Sequence, residues 1–247
     1  MTEHIGMGDL GDTSLFSGRR ISKESQCIEA VGNTDELNGV LGMILTMDLQ
    51  PESREILETI SHMTFDIGAE ICAEGKFMAE NVSSSEVIKM TEWILFLDEK
   101  LPELREFMLP SGAQAAIWLN YARAVTRRLE RSLVPLLRTQ YIRAELFAFV
   151  NRLSRLLFSL ERWENFRKSG EETKWKKGRK LPEIPFKNSV ITKNIDVGTD
   201  ETLNSKVHKK YESDRTTEKG NLVADQFDAD IPVQEEEVPD VQSSIFS

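Results

Sequence analysis

Between residues 24 and 168 apolar side chains return every three or four positions in five successive runs, about 24–49, 52–75, 84–100, 112–138 and 141–168. Breakers or caps stand at the junctions. Pro51 follows the first run, Gly75 ends the second, Asn81 and Ser83 to Ser85 cap the third, and Pro102, Pro110 and Gly112 precede the fourth. Strand-like alternation is weak throughout, and there is no internal repeat. Short connections between long amphipathic helices make antiparallel neighbours, so the pattern predicts an all-α protein, a five-helix up-and-down bundle. A Gly-rich segment (Gly6, Gly8, Gly11, Gly18) leads into it.

Charge is spread unevenly along the 247 residues, whose net charge is −10. Residues 1–164 hold 17 basic and 25 acidic side chains together with the apolar runs, enough to bury a core. Residues 165–180 hold seven Lys or Arg against two Glu, and residues 181–247 hold seven basic and 14 acidic residues with few aromatics. The expected organisation is a helical domain over 1–168 and a charged tail over 169–247 that lacks the apolar surface to order itself. An acidic chain is a poor general nucleic-acid binder, because affinity for a phosphate backbone rests on a broad basic surface. The run at 167–180, with Trp175 among its lysines, could touch RNA or a membrane surface, or form a solvated helix end. Cys27 and Cys72 have no metal-ligand spacing and suit a reducing compartment. No segment has the roughly 18 apolar residues of a membrane span, and Met1 to His4 resembles neither a signal nor a transit sequence, which points to a cytoplasmic protein.

Polar residues interrupt the apolar stripes in three places. In the first helix the stripe Val31, Asp35, Asn38, Gly42, Leu45 carries a carboxylate and an amide, and an unpaired Asp35 would cost several kcal/mol to bury. In the fifth, Asn151 falls among Phe147, Val150, Ser154 and Phe158. In the fourth, Arg123, Arg127 and Arg131 recur every four residues and Glu130 lies three from Arg127, so they share one broad face. Such guanidinium rows fit polyphosphate, since the planar fork meets phosphate oxygens two at a time. The alternative is a solvated face laced with ion pairs. Pairing Asp35 with an arginine across a helix or subunit interface would leave Asn151 and the other arginines to a ligand.

Four blocks, in order, make the chain resemble the PduO-type ATP:cob(I)alamin adenosyltransferases. They are Gly8-Asp9-Leu10-Gly11 leading to Gly18-Arg19-Arg20-Ile21-Ser22-Lys23; Glu29-Ala30-Val31-Gly32 with Asp35-Glu36-Leu37-Asn38; Phe107-Met108-Leu109-Pro110-Ser111-Gly112 with the arginine helix; and Phe149-Val150-Asn151-Arg152-Leu153-Ser154 with Leu157-Phe158. The resemblance covers roughly residues 5–165. It implies a trimer of five-helix bundles that binds ATP between subunits with an ordered N-terminal loop and transfers the 5′-deoxyadenosyl group to cobalt, giving adenosylcobalamin and triphosphate. By that likeness Gly8, Asp9, Thr13, Ser14 and Lys23 cradle the triphosphate and its Mg2+, and Arg127, Arg128, Glu130, Arg131 and Asn151 complete the nucleotide pocket. Arg127, Glu130 and Asn151 are then the expected catalytic residues. Arg123 pairs with Asp35 across the interface, and Phe107 stands against the corrin and keeps the lower axial position of cobalt empty; read alone, Phe107 is a core aromatic before a Leu-Pro turn. The implied partners are a corrinoid reductase and an adenosylcobalamin-dependent enzyme.

One departure stands out: Ile5-Gly6-Met7 replaces the Thr-Lys-Thr with which the family opens its loop. Two hydroxyls and an ammonium are lost there, so the alternative is a catalytically weak or silent homologue that holds and delivers cobalamin. A di-iron carboxylate bundle would need Glu-x-x-His motifs. His4, His62 and His208 are the only histidines, and none lies three residues after a Glu.

Overall fold

Each apolar run becomes one helix: α1 Gln26–Leu45, α2 Pro51–Cys72, α3 Ser84–Lys100, α4 Gln114–Arg138 and α5 Ala144–Arg167. The structure is a computed structural model and describes residues 6–15, 17–73 and 82–180. The chain divides into two units, Met1–Arg179 and Lys180–Ser247, and the architecture given is that of the first. The acidic stretch expected over 181–247, Ile5 and Asn81 lie outside the described residues.

Local chemistry sets the helix ends. Ser25 Oγ caps α1 by accepting from Ile28 N–H at 3.4 Å, and Pro51 opens α2, where its missing N–H costs nothing. At α3 Ser83 and Glu86 form a reciprocal capping box, and the Ser83 hydrogen bond holds the Glu86 carboxyl well below its ordinary range.

The core runs the length of the bundle. Leu37, Leu41 and Ile44 of α1, Leu57, Ile60, Ile67 and Ile71 of α2, Met90 of α3, Leu119, Leu129 and Leu133 of α4 and Phe149 of α5 are fully buried. α5 packs on α3 and α4, and α1 packs on α2 and α4. Two ion pairs pin α5 to its neighbours. Arg143, the residue before α5, reaches the buried Glu70 of α2 at 2.9 and 2.7 Å, and Asp98 of α3 takes Arg155 and Ser159, each at 2.7 Å. No described helix is long and apolar enough to cross a membrane.

Two expected inward stripes face elsewhere. In α1 the buried side is Ala30, Asn33, Thr34, Leu37, Val40, Leu41 and Ile44; Asp35, Gly39 and Gly42 are exposed, and Asn38 is half-buried, accepting from Ser61 Oγ at 2.6 Å. This helix carries apolar residues on two sides, and the richer stripe takes the core. Asn151 is likewise exposed, because Val150, Leu153 and Leu157 fill the inward face of α5.

Short strands, which the sequence pattern did not announce, tie down the loops. β1 Asp12–Ser14 pairs antiparallel with β2 Arg20–Ser22, in register Thr13 to Ile21. β3 Met108–Leu109 pairs with β4 Thr173–Lys174. The chain after α5 thus turns back onto the loop before α4, so Lys174 and Trp175 are not at a solvated helix end.

Candidate nucleotide and corrin site

The N-terminal segment is closed by its own backbone and two cations. Lys23 Nζ donates to Gly8 O at 2.9 Å, Arg20 donates to Met7 O at 2.7 Å, and Lys23 N–H returns to Gly11 O at 2.8 Å. Space at Gly8 is tight: a Cβ would lie 3.2 Å from Asp12 O and 2.9 Å from Lys23 Nζ, so a larger residue would push the lysine off the Gly8 carbonyl. Thr13 is half-buried on β1, and Asp9, Ser14 and Lys23 are exposed. The amides of Asp9 and Gly11 are used within the loop, on Gly6 O and Gly8 O at 3.1 Å each, so the exposed Lys23 ammonium is the group the loop offers to an anion.

The arginines of α4 separate by direction. Arg127 and Arg131 point to solvent, and no hydrogen bond or ion pair among the described residues engages either. Arg128 turns to α1, where Nε donates to Asn33 Oδ1 at 3.2 Å and Nη2 pairs with Glu36. Arg128 is thereby committed to a structural pair within the chain and is not free for the nucleotide pocket in this conformation. Arg123 is half-buried with its guanidinium 5.4 Å from the centroid of Phe158, and Arg155 lies 5.6 Å from the same ring. Burial, then the Arg127 cation, lowers the pKa of Arg123, and Glu161 acts against them. Like charges gathered so closely favour an anion nearby. Glu130 is half-buried one turn along from Arg127.

Asp35 and Arg123 do not pair within the chain; Asp35 is exposed on α1. Nor does any hydrogen bond or ion pair among the described residues join Gly8, Asp9, Thr13, Ser14 or Lys23 to Arg127, Glu130, Arg131 or Asn151. Phe107 is 52% exposed and not core. It meets Trp175 edge to face at 6.1 Å, and its carbonyl accepts from Trp175 N–H at 2.8 Å.

Sequence reasoning passed over three residues around this site. Glu161, at 5% exposure, accepts from Asn120 Nδ2 at 2.9 Å, and burial pushes its carboxyl up to about 7. Asn165 is buried at the end of α5 and bonds the loop that carries Phe107. For Glu161 and Asn165 the signal was faint: two polar residues in the last turns of an amphipathic helix, where polarity is ordinary. Trp175 was visible only as an aromatic in a basic run.

The cobalamin adenosyltransferase family model matches residues 4–164. A cobalamin adenosyltransferase of Cupriavidus metallidurans is 36% identical over 173 residues, 70% of this chain and 92% of that protein. The corrinoid adenosyltransferase PduO of Citrobacter freundii is 37% identical over 168 residues, 67% of this chain and 50% of that protein. Among solved structures, a variant PduO-type ATP:corrinoid adenosyltransferase from Lactobacillus reuteri, complexed with cobalamin and ATP, matches with a TM-score of 0.64 at 26% identity, covering 71% of this chain and 97% of that one. The fold and these likenesses define an all-helical nucleotide-dependent transferase class, and the chain belongs to the PduO-type cobalamin adenosyltransferase family.

Proposed function

We propose that this chain transfers the 5′-deoxyadenosyl group of ATP to cob(I)alamin. The cobalt(I) centre attacks the ribose C5′, a cobalt–carbon bond forms, the C5′–O bond breaks, and triphosphate leaves with the bonding pair. The observation that carries the reading is the uncompensated guanidinium face of Arg127 and Arg131 beside the half-buried Arg123, in an acidic chain of this family.

The protein's task is alignment and charge stabilisation, since the substrate is itself the nucleophile. Arg127 and Arg131 hold phosphate oxygens, Lys23 adds a point charge beside Gly8 and Asp9, and Thr13 and Ser14 offer hydroxyls. Glu130 and Asn151 orient the nucleoside. Arg128 would have to leave Glu36 to take part. Mg2+ fits this donor set only as a companion of the triphosphate: among the described residues no three His, Cys, Asp or Glu side chains gather around a common point, and Mg2+ is ordinarily held by one or two carboxylates and substrate phosphates. When bound it would neutralise charge on the departing triphosphate. Phe107 walls the corrin and keeps water from the lower face of cobalt.

Two further features belong to the proposal. A groove on α1 and α4, lined by Glu36, Gly39, Val40, Met43, Ile117, Trp118 and Tyr121, leaves Met43, Ile117 and Tyr121 exposed, Met43 on the helix that carries Asp35. A second copy would cover it and bring Asp35 to Arg123, which supports a homotrimer with the site between subunits. The helical domain, 1–168, carries the activity, with Gly170, Thr173 and Trp175 of the charged segment fastening the loop that bears Phe107; two free cysteines support a cytoplasmic setting, with a corrinoid reductase before the step and an adenosylcobalamin-dependent enzyme after it.

An anaerobic assay of cob(I)alamin with ATP and Mg2+, followed by the absorbance change of cobalt–carbon bond formation, tests the reading. The wild-type chain turns over, and Arg127→Ala loses about 100-fold or more in kcat. If neither protein turns over while cobalamin still binds, the carrier reading replaces it; Lys23 Nζ already engaged by Gly8 O, and Met7 in the altered opening, are the features that favour that alternative.

A further inference from the structure

We propose that Asn165 is a positioning residue for the corrin side of the site, an inference that rests on the function proposed above. Asn165 lies in the last turn of α5 at 3% exposure and fastens two pieces of chain, the loop that leads into α4 and the turn after α5. Its Oδ1 accepts from Ala113 N–H at 2.8 Å, at the start of α4. Its Nδ2 donates to Ser111 O at 3.0 Å, in the loop after β3. Its own carbonyl accepts from Gly170 N–H at 2.8 Å, where the chain turns back toward β4.

The fastening continues directly to the aromatic wall. Ser111 Oγ accepts from Thr173 N–H at 2.8 Å and donates to Leu109 O at 3.0 Å, and Trp175 N–H closes the ladder on Phe107 O. The side-chain amide is used at both ends with opposite polarity. Aspartate would keep the acceptor and lose the donor, and leucine would lose both. Space for the amide exists only because two neighbours are glycines. A Cβ on Gly112, at φ +90°, would come 2.2 Å from Asn165 Oδ1, and one on Gly170 would come 2.8 Å from it.

A bundle does not need this arrangement to end α5, which could fray into solvent after its last core residue. Instead a buried amide is spent on holding rigid a loop whose two rings, Phe107 and Trp175, stand half in solvent. Rings that are exposed while their backbones are fastened form a preformed apolar wall, and a planar macrocycle is the ligand such a wall suits. No hydrogen bond or ion pair among the described residues joins Lys23 or Arg127, assigned above to ATP, to this buckle, so its loss should fall on one substrate only.

The test uses the full chain with Asn165→Ala, Asn165→Asp and Gly170→Ala, the last crowding the same amide without deleting it. Steady-state kinetics are run anaerobically with cob(I)alamin and with ATP as the varied substrate, and amide hydrogen exchange is followed in parallel. For Asn165→Ala, kcat/KM for cob(I)alamin falls at least about 10-fold while KM for ATP stays within about twofold, because an ångström of misplacement at a reacting centre is costly and remote binding is spared. Exchange rises at Ala113, Gly170, Thr173 and Trp175 and not in the α1 and α2 core. Asn165→Asp and Gly170→Ala shift the same way by less, and Gly170→Ala stands in if Asn165→Ala does not fold. Equal losses for both substrates with a loosened core would make Asn165 merely structural, and raised exchange with unchanged cob(I)alamin kinetics would overturn the positioning role. A wild-type chain that forms no cobalt–carbon bond removes the functional reading and this inference with it, whereas an active wild type with indifferent variants removes the inference alone.

Discussion

At the scale of single residues, Glu161 shows how burial outweighs company. Its neighbours Asn120, Arg123 and Arg162 all favour the carboxylate and Glu172 opposes it, yet burial dominates and the carboxyl is pushed up to about 7 from an ordinary 4.5. Between those values the folded chain binds more protons than the unfolded one, so this group's contribution to stability declines as pH rises through that window. Glu161→Gln keeps an acceptor for Asn120 and removes the titration. Its stability relative to wild type should therefore rise by about 2 kcal/mol between pH 5 and pH 8, read by denaturant unfolding at fixed protein concentration; parallel curves would show that the carboxyl titrates normally. Residue roles were unevenly legible in the sequence. Arg127 and Arg131 were found by spacing alone and are outward and unengaged, whereas Arg128, one position along, points 100° away and is taken by Asn33 and Glu36. Periodicity assigns a face, and the partner on the facing helix then decides whether the charge remains available.

Among the elements, α5 depends on contacts made at its two ends. Arg143 precedes its first turn and bonds the buried Glu70, whose side chain is 3% exposed. Arg143→Met leaves that carboxylate buried and unpaired and should cost about 3–5 kcal/mol, while Arg143→Met with Glu70→Leu should recover most of the loss. Chemical denaturation of both proteins checks this, and a double variant as unstable as the single one would mean the pair itself stabilises α5. The helices were readable because breakers and caps act locally: Pro51 and Ser83 mark starts that the structure keeps. β3 and β4 were not readable. Their pairing joins Met108 to Lys174 across two helices, and neither two-residue segment has a pattern of its own.

For the whole molecule, the exposed Asp35 and the exposed Met43, Ile117 and Tyr121 are where the proposed self-association is tested. Asp35→Arg and Arg123→Asp, made singly, should each weaken self-association and activity together, and the two combined should restore both by exchanging the charges across the interface. Sedimentation and the cobalt–carbon assay on the same samples decide it. Activity that persists in a dissociated chain would place the site within one subunit.

What the amino-acid sequence determined by itself is the local part of this protein: five helices, the cap of the third, and the blocks of a family signature that pointed to ATP and a corrin, because each depends on residues near one another in the chain. Tertiary structure decided which stripe of a doubly apolar α1 faces inward, since that choice compares the area buried by Leu37, Leu41 and Ile44 with what Val31 and Leu45 could bury beside Asp35. It also decided that Phe107 meets Trp175 rather than the core, and that Asn165 holds them there. Those contacts join residues more than fifty positions apart, and only the folded chain sets one against the other.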